Sequence, residues 1–409
     1  MKRIVFAWEL GKATGHTAQL VALAKEFHRR HWDVVFVLRN PESLTAMPVG
    51  FEYRLLPAPY KPVLAKPGQS IIQPLLFSDD LLPAGYGEPE LLASLLLSWR
   101  DTLALLEPDV VVCQAAPTAL LAARQLSLVR VNFGRGYDVP PLCRPMPALR
   151  YWESVSLQQR QDREDVVMRN INTAMTLLGW AEVPDFASVL EADLRFCCDF
   201  PELSHYPTDL DDRKRLHTGP LLFLEQGESV TWRATSGRRI LVQMQAYMTV
   251  LPNCLKALRQ MPDEWDIIVV CPGLPEGLTT RINRPNLRVY GHALRFSSLL
   301  PDCNLLINYA SAGMVHAAAL HGIPLLMFPT HIEQNMVARA VVRTGMGISL
   351  GIDAASDDIV VGIRKLLTEP QYLRCAQSLA SKYAGHDTDK LAARLADQIG
   401  DHVAQSRGP

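Results

Sequence analysis

A turn of small residues, Ala310 to Gly313, is the stretch of this 409-residue chain that is best suited to hold a negatively charged ligand. The apolar run from Leu305 to Ile307 before it predicts a buried strand, and the run from Val315 to His321 after it predicts a helix. Small residues let a ligand approach the backbone, and the amides that begin a helix are unpaired and carry the positive end of its dipole. The turn is therefore predicted to bind a diphosphate, with Ser311 as the helix N-cap or as a hydroxyl donor to the ligand.

A second candidate for chemistry is His16, which follows Gly15 near the start of the chain. The residues around it predict a strand from Lys2 to Trp8, a helix from Thr17 to Arg30 and a second strand from Trp32 to Leu38. This β-α-β order is typical of a doubly wound sheet, in which a loop after the carboxyl end of a strand faces the ligand crevice. An imidazole at that place is suited to proton transfer near neutral pH.

Composition excludes several classes of function. The net charge is −1 with both signs interspersed, which disfavours nucleic acid and acidic membrane surfaces as partners. No apolar run approaches the ~18 residues of a membrane span, and the eight cysteines lack the spacing of a metal site. Scattered cysteines of this kind favour reduced thiols in the cytoplasm. No metal and no cofactor are expected.

A nicotinamide dinucleotide site fits the first loop poorly. Three residues separate Gly11 from Gly15, which does not match G-x-G-x-x-G. The second predicted strand ends in Arg39-Asn40, where such a site would place an acid for the ribose. An oxidoreductase is therefore disfavoured.

The stretch from Leu305 to Gly347 resembles the donor-binding motif of family-1 (UDP-glycosyltransferase-like) glycosyltransferases of the GT-B fold, in the bacterial type. The spacing from Tyr309 to Gln334 matches that motif without gaps, and six residues fall on motif positions: Gly313, Gly322, Pro324, Pro329, Glu333 and Gln334. The resemblance implies that Glu333 and Gln334 bind sugar hydroxyls of the donor. It also implies that the turn from Tyr309 to Met314 lies against the donor's diphosphate.

Three residues depart from the family motif. Tyr309 stands where a phosphate-binding His is usual, Met314 replaces a hydroxyl residue, and Ala317 replaces the Glu that holds the ribose. A uridine donor would lose one usual contact at Ala317, so a thymidine donor or another binding mode stays open.

The resemblance also implies the fold, which is α/β and GT-B. Two Rossmann-like doubly wound domains are expected to face a central cleft, with C-terminal helices crossing back to the first domain. The expected domains are an acceptor-binding domain, a nucleotide-sugar-binding domain and a terminal helix, at residues 1–215, 216–380 and 381–409.

On the acceptor side, the Gly-His pair resembles the family's entry to the first helix, where the His is the base that deprotonates the acceptor. The family often places an Asp at the end of the strand that here runs from Pro108 to Cys113, but this chain has Gln114. Glu9 and Asp138 are the candidate partners of His16, and Glu9 is preferred because it shares the loop of His16. Gln114 and Asp138 are also assigned to acceptor binding.

The resemblance also implies that the turn after the first strand of the second half, Gln243 to Thr249, approaches the donor's diphosphate. His292 lies near the domain face, where it is expected to pack on the donor's base. The stretch from Ala58 to Gly87, rich in Pro and apolar residues, is predicted to be a loop that lines the acceptor cleft.

These residues predict an inverting transfer of a sugar from a nucleotide diphosphate donor, UDP- or dTDP-linked, to a hydroxyl or amine. The acceptor is expected to be a small molecule, a lipid-like molecule or a peptide with an apolar part. The alternative is a GT-B scaffold that has lost catalysis and acts as a binding or partner protein. A sugar-nucleotide epimerase would need acidic residues for elimination that the motifs do not contain.

Overall fold

The computed structural model describes most of the chain, namely residues 1–11, 15–45, 49–63, 73–210, 215–233 and 237–406. The chain divides into two compact units. Unit 1 comprises Met1–Pro201, Tyr206–Leu221 and Asp387–Pro409, and unit 2 comprises Glu202–His205 and Leu222–His386.

The described residues of unit 1 form a seven-stranded sheet in which every pairing is parallel. Its strands are β1 Arg3–Trp8, β2 Asp33–Leu38, β3 Arg54–Pro57, β4 Val110–Gln114, β5 Val129–Gly134, β6 Leu194–Cys197 and β7 Arg215–His217. The spatial order is β3-β2-β1-β4-β5-β6-β7, so the direction of winding reverses between β1 and β4. Ligands of open α/β sheets bind at the carboxyl ends of the strands at such a point.

Helices connect these strands. They are α1 Gly15–Arg29, α2 Phe77–Asp80, α3 Pro89–Leu106, α4 Pro117–Ala122, α5 Leu157–Leu177 and α6 Phe186–Val189. The predicted acceptor loop, Ala58 to Gly87, contains the short helix α2, whereas its residues 64–72 lie outside the described residues.

Unit 2 has a second parallel sheet, which has six strands in the part of the chain that the structure describes. They are β8 Arg239–Gln243, β9 Asp266–Val270, β10 Leu287–Tyr290, β11 Leu305–Asn308, β12 Leu325–Met327 and β13 Gly347–Ser349. Their order, β10-β9-β8-β11-β12-β13, reverses the winding between β8 and β11. The two sheets therefore share one plan, as expected for the two Rossmann-like halves of a GT-B fold.

The helices of unit 2 are α7 Leu251–Leu258, α8 Glu276–Ile282, α9 Ala312–His321, α10 Ile332–Thr344, α11 Ser356–Thr368 and α12 Pro370–Lys382. The central strands are apolar on both faces because helices cover both faces of the sheet. Ile240 and Val242 of β8, for example, are fully buried in the cluster that also contains Cys254 of α7 and Ile363 of α11.

The last helix, α13 Thr388–Ser406, belongs to unit 1 and packs against α1. Arg30, just after α1, donates one hydrogen bond to Asp397 (2.7 Å) and another to the carbonyl of Ala393 (3.1 Å). No helix of the described ranges is long and apolar enough to cross a membrane.

The two edge strands of the unit 1 sheet are features that the sequence does not predict. The strand β7 has no apolar run, and its middle residue Leu216 is exposed. β3 is also an edge strand and is largely exposed. A short solvated strand lacks the apolar run by which buried strands are predicted.

Candidate functional site

The turn from Tyr309 to Met314, which is predicted to bind the donor and will be called the donor turn, lies at the winding reversal of the unit 2 sheet. Ser311 donates its hydroxyl to Oε1 of Gln243 (3.2 Å), which joins the turn to the end of the neighbouring strand β8. Two of the predicted donor residues, Gln243 and Ser311, are therefore brought together at the carboxyl edge of the sheet.

The backbone of the turn is bent by an alanine with an unusual conformation. Ala310 has φ +59°, a left-handed value that costs a non-glycine residue roughly 1–2 kcal/mol. Its amide donates to Oδ1 of the buried Asn308 (2.9 Å), which holds the bend. This bend directs the chain from β11 into α9.

The start of α9 has no side-chain cap. Ser311 occupies the N-cap position as predicted, but its hydroxyl bonds Gln243 and accepts no hydrogen bond from a helix amide. The amides of Ala312, Gly313 and Met314 are the first of the helix and precede its i−4 pairing. The side chain of Met314 is buried beneath them.

Tyr309 and Ala317, two departures from the motif, differ in burial, since Tyr309 is half-buried and Ala317 is not exposed. The hydroxyl of Tyr309 accepts a hydrogen bond from Nε2 of Gln245 (3.1 Å), and burial raises the pKa of this phenol, so it stays neutral. Ala317 is fully buried in α9. Gln245 is a contact of the turn that the sequence did not predict, because the stretch after β8 has no glycine pattern.

Glu333 and Gln334 lie in the first turn of α10, after the next strand, β12. The side chain of Glu333 is 37% exposed, and its Oε1 lies 3.8 Å from Nε2 of His205. Gln334 Oε1 accepts hydrogen bonds from the amide and hydroxyl of Thr330 (2.8 and 2.9 Å). Gln334 therefore braces the loop that brings Glu333 to the carboxyl edge of the sheet.

His292 lies apart from these residues, after the edge strand β10, which β9 separates from β8. Its exposed ring bonds Glu228 (2.7 Å) and contacts Tyr290 edge-on. The structure therefore does not join His292 to the donor turn.

In unit 1, the corresponding winding reversal lies between the ends of β1 and β4. The amides of Glu9 and Leu10 donate to the carbonyl of Ala115, which has φ +44° just after β4. The carboxyl group of Glu9 is buried and accepts hydrogen bonds from Nε1 of Trp99 (2.7 Å) and the amide of Thr118 (2.6 Å). Burial raises the pKa of Glu9 to about 8.

His16 lies in the first turn of α1 and is close to Trp8, Asp138 and Gly11. Its ring stacks on the indole of Trp8, with centroids 5.5 Å apart and planes at 25°. Its Nδ1 lies 3.9 Å from Oδ2 of Asp138, and both side chains are largely buried. A Cβ on Gly11, which has φ +83°, would lie 2.7 Å from Nε2 of His16. Residues 12–14 of this loop lie outside the described residues.

The carboxylate beside His16 therefore belongs to Asp138, the second of the two predicted partners, whereas Glu9 is engaged by Trp99 and Thr118. Successive side chains of an extended chain point to opposite sides, so Trp8 contacts the ring of His16 while Glu9 turns toward α3 and α4. The stacking of Trp8 was not predicted, although its place as the last residue of an apolar strand is a signal that could have suggested it.

Gln114 lies at the end of β4, in register with Trp8 of β1. Its side chain is fully buried, and neither its amide nitrogen nor its oxygen has a partner within the described residues. A buried polar group without a partner is costly. The place where the family often has an acid thus holds an unsatisfied amide.

Comparison with known proteins matches part of the chain by sequence and all of it by fold. Residues 260–395 match the family described as Erythromycin biosynthesis protein CIII-like, C-terminal domain. The chain is 30% identical over 134 residues to 4'-demethylrebeccamycin synthase of Lentzea aerocolonigenes, a match that covers 32% of this chain and 31% of that protein. The chain thus matches about a third of that relative's length.

Solved structures resemble the whole chain. The glycosyltransferase VinC, in complex with dTDP, superposes with a TM-score of 0.68 at 16% identity and full coverage of both chains. The glycotransferase of kitacinnamycin gives a TM-score of 0.74 at 16% identity, with 98% of both chains covered. At this identity the likeness concerns the fold.

The likeness to the solved structures covers both of the parallel sheets described above. The sequence match at residues 260–395 includes the donor turn and α10. The GT-B fold that the resemblance implies is thereby confirmed, and residues 260–395 match the erythromycin biosynthesis protein CIII-like C-terminal family.

Proposed function

We propose that this protein is an inverting glycosyltransferase that moves a sugar from a nucleoside diphosphate donor to a hydroxyl or amine of an acceptor with an apolar part. Unit 1 is proposed to activate the acceptor, and unit 2 is proposed to hold the donor. The observation that carries the proposal is the uncapped start of α9 at the winding reversal of the unit 2 sheet. Such a helix start is suited to a diphosphate.

The donor is proposed to lie with its diphosphate on the amides of Ala312, Gly313 and Met314. Gln334, whose oxygen is used by Thr330, keeps its Nε2 hydrogens for a sugar hydroxyl, and Glu333 accepts from another. Ala317 offers no carboxylate to a ribose hydroxyl, which favours thymidine over uridine in the donor. The match to VinC, whose structure contains dTDP, supports the same choice.

In the proposed reaction, the acceptor hydroxyl attacks the anomeric carbon from the side opposite the diphosphate. His16 takes the proton of that hydroxyl as the new carbon–oxygen bond forms. The bond between the anomeric carbon and the diphosphate oxygen breaks, and the leaving nucleoside diphosphate keeps the electron pair. The amides that begin α9 stabilise the charge that develops there, and the configuration at the anomeric carbon is inverted.

Asp138, rather than Glu9, is proposed as the residue that orients His16. Its carboxylate approaches Nδ1, so Nε2 is left for the acceptor, and its negative charge stabilises the imidazolium that forms. Glu9 is proposed to anchor the strand end through Trp99 and Thr118.

Nucleotide binding tests the donor site directly. Thermal unfolding is measured with dTDP, UDP, ADP and GDP, since a ligand at 100 times its Kd adds ~2.7 kcal/mol of stability. Gly313→Val should abolish the shift given by dTDP, because a side chain there blocks the approach of a diphosphate. Gly277→Val is the matched control: Gly277 is also the second residue of a unit 2 helix, and a Cβ there meets nothing within 4 Å. An equal shift in the Gly313 variant would remove the diphosphate from this turn.

A second function, a GT-B scaffold that binds without catalysis, is favoured by Gln114, which has no partner within the described residues, and by Tyr309, whose hydroxyl is bonded to Gln245. A glycosyltransferase and a binding scaffold would each bind a nucleotide, whereas only the glycosyltransferase would release nucleoside diphosphate from a donor. Measuring that release separates the two.

A further inference from the structure

The segment from Gly134, the last residue of β5, to Pro140 carries Asp138 and will be called the β5 loop. Three buried charged residues lie beneath it: Arg195 on β6, Asp199 just after β6, and Arg215 on β7. They are 1%, 0% and 4% exposed. Ionised side chains buried to this degree are costly unless they are hydrogen-bonded, so their contacts are informative.

Before Asp138, the β5 loop is held by Asp199. Oδ2 of Asp199 accepts a hydrogen bond from the amide of Gly136 (2.7 Å), and Oδ1 pairs with Nη1 of Arg135 (3.3 Å). Arg135 also donates to the carbonyl of Cys198 (3.0 Å). Asp199 thus fixes two consecutive loop residues.

After Asp138, the β5 loop is held by the two arginines. Nη1 of Arg215 donates to the carbonyl of Val139 (3.1 Å), and Nη2 of Arg195 donates to the carbonyl of Pro140. Burial of the guanidinium lowers the pKa of Arg215. Two buried guanidinium groups therefore donate hydrogen bonds to two consecutive carbonyls of the loop.

Arg195, Asp199 and Arg215, the three supports of the loop, lie on or next to strands of the sheet. β5, β6 and β7 are neighbours in the sheet, so the supports and the start of the loop share one set of backbone hydrogen bonds. The space within the loop is also tight: a Cβ on Gly134, which has φ +150°, would lie 3.1 Å from both Cβ and Oδ2 of Asp138. The loop is thus held on both sides of Asp138, and the carboxylate of Asp138 lies 3.9 Å from Nδ1 of His16.

We infer that Arg195, Asp199 and Arg215 are positioning residues, which act through the β5 loop to hold the carboxylate of Asp138 beside His16. This inference rests on the proposed function, in which His16 is the base. Site groups held by rotamer-locked supports on regular elements keep their geometry best. A displacement of about 1 Å at such a group can cost ~100-fold in rate, which gives the supports a measurable effect.

Hydrogen exchange tests the support without any substrate. Arg215→Met should speed exchange in the peptide covering residues 134–141 at least ~10-fold, because the loop opens more often. Arg215→Lys should restore part of the protection, since an ammonium can donate to the same carbonyl. Arg130→Met is the control: Arg130 lies at the other end of β5 and donates to the carbonyl of Glu191 (3.1 Å), so its loss should affect residues near 191. Unchanged exchange at residues 134–141 in the Arg215 variant would overturn the inference.

A double-mutant cycle tests the effect on catalysis. Release of dTDP from dTDP-glucose is measured with 4-methylumbelliferone as the probe acceptor, in the wild type, Arg215→Met, Asp138→Asn and the double variant. If Arg215 acts through Asp138, its loss should lower kcat about 10-fold alone and have little effect in the Asp138→Asn background. Equal effects in both backgrounds would mean that Arg215 is merely structural.

The outcomes separate the inference from the proposed function. If exchange at residues 134–141 responds to Arg215→Met while His16→Ala leaves turnover intact, the loop is supported but the proposed base is wrong. If His16→Ala abolishes turnover while the Arg215 variant changes neither exchange nor kcat, the proposed function stands and the positioning role falls.

Discussion

Replacing Asp138 by Asn removes one negative charge beside His16 and leaves the volume of the side chain nearly unchanged. The two side chains are 15% and 9% exposed, with Oδ2 of Asp138 3.9 Å from Nδ1 of His16. In the proposed mechanism His16 is neutral before proton transfer and charged after it. The carboxylate of Asp138 therefore attracts the imidazole of His16 mainly in the transition state. Loss of that attraction should lower kcat with little effect on KM.

The size of this effect follows from the distance. Two unit charges 3.9 Å apart attract by about 1 kcal/mol in water and about 4 kcal/mol at an effective dielectric constant of ~20. With 1.36 kcal/mol for each factor of ten, kcat should fall between ~5-fold and ~1000-fold. Partial burial of both side chains places the expected value near the middle, at ~30–100-fold.

The assay is steady-state kcat and KM for donor and acceptor, measured for Asp138→Asn and for the control Asp193→Asn. Asp193 accepts a hydrogen bond from the amide of Arg130 (2.7 Å) at the opposite end of β5, so its loss should leave kcat within ~2-fold. A folded Asp138→Asn protein with wild-type kcat would refute the pairing of Asp138 with His16.

Three further variants test neighbouring residues. Gly11→Ala should lower kcat at least ~10-fold because its Cβ meets Nε2 of His16, whereas Gly50→Ala, with φ +72° and open space around it, should cost only about 1 kcal/mol of stability; equal kcat in both would contradict the contact. Glu9→Gln should remove a pH dependence, because the raised pKa of Glu9, about 8 instead of 4.5, makes the folded wild type lose stability as pH rises through that interval. Wild type and variant should diverge by a few kcal/mol between pH 4.5 and 8 in chemical denaturation, and parallel curves would refute the shift. Gln114→Met should leave stability unchanged or raise it by about 1 kcal/mol, because both amide atoms lack partners; a loss above ~1 kcal/mol would reveal a bonded amide.

The sequence predicts the central strands well because each is a continuous apolar run covered on both faces. β1, β4 and β11 all begin and end within two residues of their predicted bounds. The edge strands β3 and β7 escape prediction because water satisfies much of their surface, and β7 is only Arg215–His217.

The strand, turn and helix around Ala310 were predictable because their pattern is local: small residues, an apolar run before them and a helical run after them. The bend at Ala310 was not, since an alanine with positive φ is held by the side chain of Asn308 and not by its own preference.

The environment of His16 was predictable only in part. Sequence proximity favoured Glu9, but two residues close in an extended chain can face opposite sides. Asp138 reaches His16 from a loop two strands away, which depends on sheet order and on the buried supports of the β5 loop.

The most direct measurement of sugar transfer is the release of nucleoside diphosphate, together with formation of the glycoside, from dTDP- and UDP-sugars by the wild type and by His16→Ala. We expect turnover by the wild type with at least one donor, and a loss of at least ~100-fold in the variant. A wild type that binds these nucleotides and turns over none of them, or a variant as fast as the wild type, would contradict catalysis by His16.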